Sequence, residues 1–178
     1  EEWSEAFDGW NGQTFYAWPG DNDSSDGEDP AWVSKWATEL NHLASKGFNV
    51  IRLPISWERI QHTLNGVLDP TYSTKLAAVV TQATARGFVV VIDLHNYARY
   101  ATGAYDGSGS GNQVGTFTQR VMGDGTLTTA HLADVWGKIS ALFVGNPDVQ
   151  FDLMNEPHDF PMTSTAWVTG MNAVIAAI

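Results

Sequence analysis

Two stretches of the chain carry apolar residues at helical spacing and are bounded by the same end signals. One lies between Asp29-Pro30 and Lys46-Gly47, and the other lies between Asp69-Pro70 and Arg86-Gly87. Asp can cap the free N–H groups of a helix, Pro fits the first helical position, and Gly accepts the left-handed backbone after the last turn. The pattern therefore predicts two helices, whose apolar faces carry Trp32, Trp36, Leu40 and Leu43, then Tyr72, Leu76, Val79, Val80 and Ala83.

Short apolar runs follow both helices, at residues 48–51 and 88–92, and a third run lies at 149–154. Runs of this length, rich in β-branched residues and bounded by Gly, are typical of buried parallel strands. Apolar residues recur at helical spacing again over 132–143 and 163–178. These patterns predict three strands and two further helices.

Residues 101–126 are rich in Gly, Ser and Thr and predict a loop. The order αβαβαβα indicates an α/β fold with parallel strands, and both a doubly wound sheet and a barrel fit that order. A closed (β/α)8 barrel needs roughly 200 or more residues, so the 178 residues here would form only part of one. No Gly-x-Gly-x-x-Gly motif and no P-loop follows a predicted strand.

Composition and charge exclude several classes of partner. The net charge of −11 repels phosphate backbones and anionic lipids, so we expect no nucleic-acid and no membrane partner. The absence of Cys excludes disulfides, thiolate metal sites and a Cys nucleophile. The 8 Trp, 5 Tyr and 8 Phe beside only 16% charged residues favour a neutral, polyhydroxylated partner.

Polar residues stand where each predicted strand ends, in Arg52-Leu53-Pro54, in Asp93-Leu94-His95-Asn96 and in Asn155-Glu156-Pro157. The carboxyl ends of parallel strands form the rim of an active site in α/β folds. Strand alternation places the side chains of Asp93 and His95 on the same face. A single Arg is usually a salt-bridge partner and a single His a core residue, but three such strand ends together predict a catalytic site.

These motifs resemble glycoside hydrolase family 5, and most of all its cellulases, the endo-β-1,4-glucanases. The resemblance rests on Arg52-Leu53-Pro54, His95-Asn96-Tyr97-Ala98-Arg99 and Asn155-Glu156-Pro157 in that order, and it runs from about Trp18 to the end of the chain. It implies an α/β fold that is part of a (β/α)8 TIM barrel, with these motifs on strands two to four. Residues 1–178 are then expected to be the N-terminal portion of one catalytic barrel domain, completed by a missing C-terminal half.

The resemblance also implies a role for each matched residue. It implies that Glu156 is the general acid/base and that Asn155 hydrogen-bonds the 2-hydroxyl of the cleaved sugar. It also implies that His95 contacts the sugar and that Arg52 orients the nucleophile. The family's nucleophile is a second Glu on strand seven, and Glu156 is the last glutamate of this sequence. We therefore expect a complementary C-terminal chain, or a second copy, to supply the nucleophile, and this chain alone to be inactive. Asp93 is a poor substitute, because the strand geometry is expected to point it into the barrel floor.

Aromatic residues near the strand ends are predicted to bind sugar, because the C–H face of a pyranose packs on an aromatic ring. Trp57, Tyr97 and Tyr100 are the candidates there, with Trp18 and Tyr105 as further candidates in loops. The predicted substrate-binding set is completed by two polar residues of the same motifs, Asn96 and His158. Four tryptophans at helical spacing are instead expected to pack in the core: Trp32, Trp36, Trp136 and Trp167.

We expect no cofactor and no metal ion. The five histidines form no paired metal-binding spacing, and no Gly-x-Ser-x-Gly motif for acyl transfer occurs. Residues 21–27 resemble a calcium loop, but Gly27 comes one place late, and a later start puts Val33 where the bidentate Glu belongs. The resemblance further implies a secreted protein that acts outside the cell.

The leading hypothesis is retaining, endo-acting hydrolysis of the β-1,4-glucan bonds of cellulose, with a β-glucan polysaccharide as the binding partner. A mannan- or β-1,3-glucan-specific hydrolase on the same barrel is the alternative within the enzyme class. A non-catalytic half-barrel that binds carbohydrate or serves a structural role is the alternative from another class.

Overall fold

A computed structural model describes residues 32–102 and 118–178 of the chain. The predicted cap at Asp29-Pro30, the acidic segment at 21–27, and the candidate sugar contacts Trp18 and Tyr105 lie outside the described residues. The described elements, numbered in chain order, are α1 (Trp32–Ser45), β1 (Val50–Ile55), α2 (Trp57–Ile60), α3 (Pro70–Thr84), β2 (Val89–Leu94), β3 (Arg99–Thr102), β4 (Thr118–Val121), α4 (Thr129–Ala141), β5 (Val149–Asp152) and α5 (Ser164–Ile175).

Three parallel strands form the main sheet, in the order β1-β2-β5. A helix lies in each connection, α3 between β1 and β2 and α4 between β2 and β5. The predicted α/β fold with parallel strands is therefore confirmed. Successive parallel neighbours joined through helices are also the arrangement of consecutive strands in a (β/α)8 barrel.

The helix ends carry the capping chemistry that the sequence predicts. The Asp69 carboxylate accepts a hydrogen bond from the Tyr72 backbone N at 2.6 Å, and Pro70 occupies the first turn of α3. Gly47 and Gly87 follow α1 and α3 with φ of 84° and 83°, a left-handed backbone that favours Gly. At the start of α5, Thr163 Oγ1 accepts from the Ala166 backbone N at 3.2 Å.

The prediction that residues 101–126 form only a loop is wrong at both ends of that segment. Arg99–Thr102 and Thr118–Val121 pair as antiparallel strands, with Arg99 opposite Val121 and Thr102 opposite Thr118. The sequence of β4, Thr-Gln-Arg-Val, has no alternating apolar pattern, and its residues stay partly or fully exposed. The backbone ladder to β3 therefore defines this strand, and a hydrophobic pattern could not reveal it.

The hydrophobic core lies between the parallel sheet and its helices, with Trp57, Trp136, Tyr100 and Phe88 among its largest fully buried side chains. The predicted core position of Trp136 is confirmed, since its Nε1 donates to the Leu153 carbonyl at 2.9 Å and its side chain is inaccessible. Trp167 is partly buried and packs against the same core. Nothing in the structure describes the side chains of Trp32 and Trp36.

None of the helices in residues 32–102 and 118–178 is both long enough and apolar enough to cross a membrane.

Candidate active site

Three of the four predicted catalytic residues are joined by hydrogen bonds across the carboxyl ends of the parallel strands. Arg52 comes from β1, His95 follows β2, and Asn155 follows β5. Arg52 Nη2 donates to Asn155 Oδ1 at 2.6 Å, and Asn155 Nδ2 lies 3.2 Å from His95 Nε2. The three strand ends thus converge as predicted.

Two carboxylates flank Arg52 in this arrangement. Asp93 Oδ2 lies 3.0 Å from Arg52 Nη2 and 2.6 Å from His95 Nδ1, and Asp152 Oδ2 lies 2.9 Å from Arg52 Nη2. The contact between Asp93 and His95 agrees with their predicted position on one face. Burial raises the pKa of Asp93, although the hydrogen bond from His95 and the positive charge of Arg52 oppose the increase.

Glu156, the predicted acid/base, lies next to Asn155 and is exposed to solvent. Its backbone has φ of 40°, in the left-handed region that a non-glycine residue rarely adopts. Such a conformation costs about 1–3 kcal/mol and is found most often at functional sites. Within residues 32–102 and 118–178, no side chain forms a hydrogen bond with its carboxylate.

Tyr97 lies between the rings of His95 and His158, two of the strand-end residues that the sequence predicts to contact a sugar. The Tyr97 ring stands edge-on to the rings of His95 and His158, with centroid distances of 5.2 and 5.9 Å. Arg99 Nη1 donates to the backbone carbonyls of both Tyr97 and His158, which ties the two strand-end loops together. The phenol is partly buried, while His158 is exposed.

The expectation that Trp57 and Tyr100 line the rim is wrong. Their side chains are 0% and 1% exposed and meet edge-on in the core at a centroid distance of 5.3 Å. The buried position of Tyr100 results from a reversal of the chain after β2, where Tyr97 and Ala98 adopt φ of 55° and 58°. This reversal carries Tyr100 back beneath α2, where its hydroxyl donates to the Gln61 carbonyl at 2.7 Å.

Asn96 also differs from its predicted substrate-binding position, because its amide is buried and occupied. Its Oδ1 accepts from the Trp57 backbone N at 2.8 Å, and its Nδ2 donates to Glu58 Oε2 at 2.7 Å. Glu58 is buried too, and its Oε1 accepts from the Ala101 backbone N. Asn96 and Glu58 therefore hold the start of α2 against β3.

The sequence reasoning missed two acidic residues, Asp152 and Glu58. Asp152 interrupts an apolar run two positions before the end of the predicted strand, and that interruption is a usable signal. It pairs in register with Asp93 on the neighbouring strand. Glu58 has no comparable signal, because an acidic residue in the first turn of a short helix is ordinary.

Across the described part of the chain, no three His, Asp or Glu residues come together in a way that could hold a metal ion. The chemistry that the arrangement supports is proton transfer by an exposed carboxylate, beside a hydrogen-bonded Arg–Asn–His group that can bind hydroxyls.

The residues that resemble those of a glycoside hydrolase, an Asn–Glu pair, a His and an Arg, thus meet at one edge of a parallel α/β sheet. Comparison with known proteins shows which family this chain belongs to. The family described as "Cellulase (glycosyl hydrolase family 5)" matches residues 11–178, and the chain belongs to this family.

Several relatives are endoglucanases by name. The "Manganese dependent endoglucanase Eg5A" of Phanerodontia chrysosporium is 30% identical over 148 residues, which is 82% of this chain and 34% of that protein. "Endoglucanase EG-II" of Hypocrea jecorina is 27% identical over 142 residues, covering 79% of this chain and 29% of that protein. The chain thus spans about a third of these relatives.

Solved structures show the same likeness. The endo-beta-1,4-glucanase Xac0029 from Xanthomonas axonopodis pv. citri superposes with a TM-score of 0.64 at 32% identity, over 79% of this chain and 39% of that one. Cel5A (EG2) from Hypocrea jecorina gives a TM-score of 0.64 at 26% identity, over 79% and 38%.

Proposed function

We propose that the protein containing this chain hydrolyses β-1,4-glucan internally and with retention of anomeric configuration. The observation that carries the proposal is the hydrogen-bonded group Arg52–Asn155–His95 beside the exposed Glu156, in a chain of glycosyl hydrolase family 5. Relatives named endoglucanase, and a solved relative described in complex with cellopentaose, support β-1,4-glucan as the substrate.

Glu156 acts in this mechanism as general acid and then as general base. A leaving glycosidic oxygen needs a proton, which a positioned carboxylic acid supplies, and the same carboxylate then activates the water that ends the reaction. The exposure of Glu156 and its freedom from side-chain partners in the described residues fit such a role.

Asn155 binds the 2-hydroxyl of the sugar that is cleaved. Its Oδ1 is held by Arg52, and one hydrogen of its Nδ2 faces His95. An amide nitrogen carries two hydrogens, so the second one is available to a substrate hydroxyl. A 2-hydroxyl contact that strengthens in the transition state contributes several kcal/mol to glycoside hydrolysis.

Arg52 orients the nucleophilic carboxylate. Its Nε and Nη2 contact Asp152, Asp93 and Asn155, whereas its Nη1 forms no hydrogen bond with any residue that the structure describes. A guanidinium can bind carboxylates through several donors at once, so Nη1 can bind one further carboxylate and favour its ionised form.

A C-terminal segment supplies that carboxylate in this proposal. Strands β1 and β5 lie at the edges of the described parallel sheet, and closing such a sheet into a barrel needs further strands. Residues 1–178 are then the N-terminal portion of the catalytic barrel, and they are inactive without the complementary segment or, in its place, a second copy. An extracellular location follows from the proposed polymeric substrate.

Tyr97 and His158 are proposed to contact the glucan. The Tyr97 ring meets His95 and His158 edge-on, and the two residues lie on the loops that follow β2 and β5. Trp57 and Tyr100 are left out of this contact surface because they pack in the core, and Asn96 because both Nδ2 and Oδ1 of its amide are hydrogen-bonded within the protein.

Initial rates of the complete protein on cello-oligosaccharides, manno-oligosaccharides and β-1,3-gluco-oligosaccharides test the proposal. We expect the cello-oligosaccharides to be cleaved fastest and at internal bonds. Faster cleavage of one of the others would assign a different glycan to the same barrel. Binding of cello-oligosaccharides without any cleavage would show a carbohydrate-binding protein instead.

A further inference from the structure

Asp93 is a buried carboxylate that contacts two residues of the candidate active site without facing solvent itself. Its side chain is 0% exposed, and its Oδ2 lies 2.6 Å from His95 Nδ1 and 3.0 Å from Arg52 Nη2. The proposed mechanism assigns it no contact with substrate. Any effect that it has on the reaction must therefore act through these two neighbours.

The contacts of Asp93 decide which ring nitrogen of His95 carries the proton. Arg52 Nη2, which lies 3.0 Å from Oδ2, can only donate, so Oδ2 acts as an acceptor. His95 must then present Nδ1–H to Asp93. In a neutral imidazole with the proton on Nδ1, Nε2 is an acceptor.

The Asn155 amide can hydrogen-bond to both His95 and Arg52 only if His95 carries its proton on Nδ1. Its Nδ2, a donor, lies 3.2 Å from His95 Nε2, while its Oδ1 accepts from Arg52 Nη2 at 2.6 Å. With the proton on Nε2, His95 and Asn155 would meet donor to donor. Rotating the amide to relieve that clash would point Nδ2 at Arg52, which also only donates.

We propose that Asp93 is a positioning residue that fixes the Nδ1-protonated tautomer of His95, so that Nε2 accepts from the Asn155 amide and helps Arg52 to hold its orientation. The inference rests on the proposed function, since the orientation of Asn155 affects a rate only if Asn155 binds the substrate. It accounts for a carboxylate at the buried end of an otherwise apolar strand, where an unpaired charge would destabilise the fold.

Asp152 offers a matched control for this proposal. It lies opposite Asp93 in the strand register, and its Oδ2 is 2.9 Å from the same Arg52 nitrogen, whereas the carboxylate that contacts His95 Nδ1 in the described residues is that of Asp93. Asp93→Asn and Asp152→Asn each remove one negative charge beside Arg52. Only Asp93→Asn removes the anionic partner of the imidazole.

The tautomer can be read by long-range ¹H–¹⁵N NMR of the complete protein with ¹⁵N-labelled histidine, at a mildly basic pH where imidazole is neutral. The spectrum of His95→Gln identifies the His95 signals. We expect the Nδ1–H form in the wild type and in Asp152→Asn, and a mixed or Nε2–H form in Asp93→Asn.

An Nε2–H form in the wild type would overturn the proposal, even if Asp93→Asn fails to fold. An unchanged tautomer in folded Asp93→Asn, or an equal change in Asp152→Asn, would overturn it as well.

Kinetics test the second half of the proposal. We expect kcat of Asp93→Asn on cello-oligosaccharides to fall about 10- to 100-fold, the size typical for losing a group that orients an active-site histidine, with a smaller change in KM. A shifted tautomer with unchanged kcat would refute the link to Asn155. Absence of hydrolysis by the wild type would refute the proposed function, while the spectrum still decides the role of Asp93 toward His95.

Discussion

Arg52 and Asn155 are 103 positions apart in the sequence, yet Arg52 Nη2 donates to Asn155 Oδ1 at 2.6 Å. They belong to β1 and to the residue stretch after β5, and β2 lies between those strands in the sheet. The hydrogen bond therefore spans the central strand. The site depends on the register of three strands and not on any one loop.

Replacing Arg52 by Lys should show how much that bridge matters. Lys keeps the charge but lacks the planar fork, so it cannot contact Asp152 and Asn155 together and still bind a further carboxylate. We expect kcat/KM on cello-oligosaccharides to fall by roughly 100-fold, comparable to losing one charge-stabilising donor. Arg86→Lys, at the end of α3 and away from the strand ends, is the control and should behave as the wild type. Equal kcat/KM for Arg52→Lys and the wild type would contradict the role of Arg52.

Alanine substitutions at Trp57 and Tyr97 should have opposite main effects, one on folding stability and the other on oligosaccharide binding. Trp57 is fully buried, so Trp57→Ala should lower the free energy of unfolding by about 3–5 kcal/mol. Tyr97 is partly exposed beside His95, so Tyr97→Ala should cost less stability and weaken cello-oligosaccharide binding more. Urea denaturation and calorimetric titration measure the two effects. A stable Trp57→Ala variant with lost affinity would restore Trp57 to the substrate surface.

The turn after β4 should give a pH-dependent contribution to stability. The Asp124 carboxylate accepts hydrogen bonds from the backbone N of Leu127 and Thr126 at 2.8 and 2.7 Å. These bonds hold the pKa of Asp124 below its ordinary value of 3.8. An acid with a lowered folded-state pKa stabilises the fold above its unfolded pKa, and this contribution is lost as the pH falls through the folded value.

Because Asp124 is exposed and solvent screens its charge, Asp124→Ala should lower the free energy of unfolding at neutral pH by no more than about 1 kcal/mol, and the difference from the wild type should shrink below pH 3.8. Denaturant titrations over a pH series measure the difference. Asp148→Ala, at an exposed carboxylate without a hydrogen bond to the described residues, should change stability little at either pH. A constant difference for Asp124→Ala across the series would contradict the assignment.

The proposed retaining mechanism sets the distance between the carboxyl group of Glu156 and that of the proposed nucleophile. Direct attack requires two carboxyl groups about 5–5.5 Å apart, whereas inversion needs roughly 6.5–9.5 Å to admit a water. We expect ¹H NMR of the first product from cellopentaose, recorded before mutarotation, to show the β anomer. The α anomer would mean inversion and would exclude the retaining mechanism.

Local signals explain what the sequence could predict. Caps such as Asp69-Pro70 and glycines such as Gly87 act within a few residues, so α3 was predicted from them. The strand-end polar residues were equally visible, because parallel strands bring them to one edge. The sequence alone therefore predicts that Arg52 and Asn155 belong to one site.

Non-local geometry explains what the sequence could not predict. Tyr97 and Ala98 are non-glycine residues with left-handed backbones, so nothing in their identity reports the reversal that buries Tyr100. The pairing of β4 with β3 is likewise set by backbone hydrogen bonds between polar segments. Trp57 is predicted at the rim because it lies close to a strand end. That closeness does not reveal which face its side chain takes, so the prediction is wrong.

Replacement of Glu156 by Gln tests the central claim most directly, because it removes the proton donor and preserves the shape of the side chain. Losing a general acid typically costs about 10²- to 10⁴-fold in rate. The account predicts such a loss on cellopentaose, a much smaller loss in the first step on an aryl cellobioside with a good leaving group, and nearly unchanged substrate binding. Glu39→Gln, at an exposed glutamate of α1, is the control. Wild-type turnover of cellopentaose by Glu156→Gln would contradict the assignment of Glu156 as the acid/base.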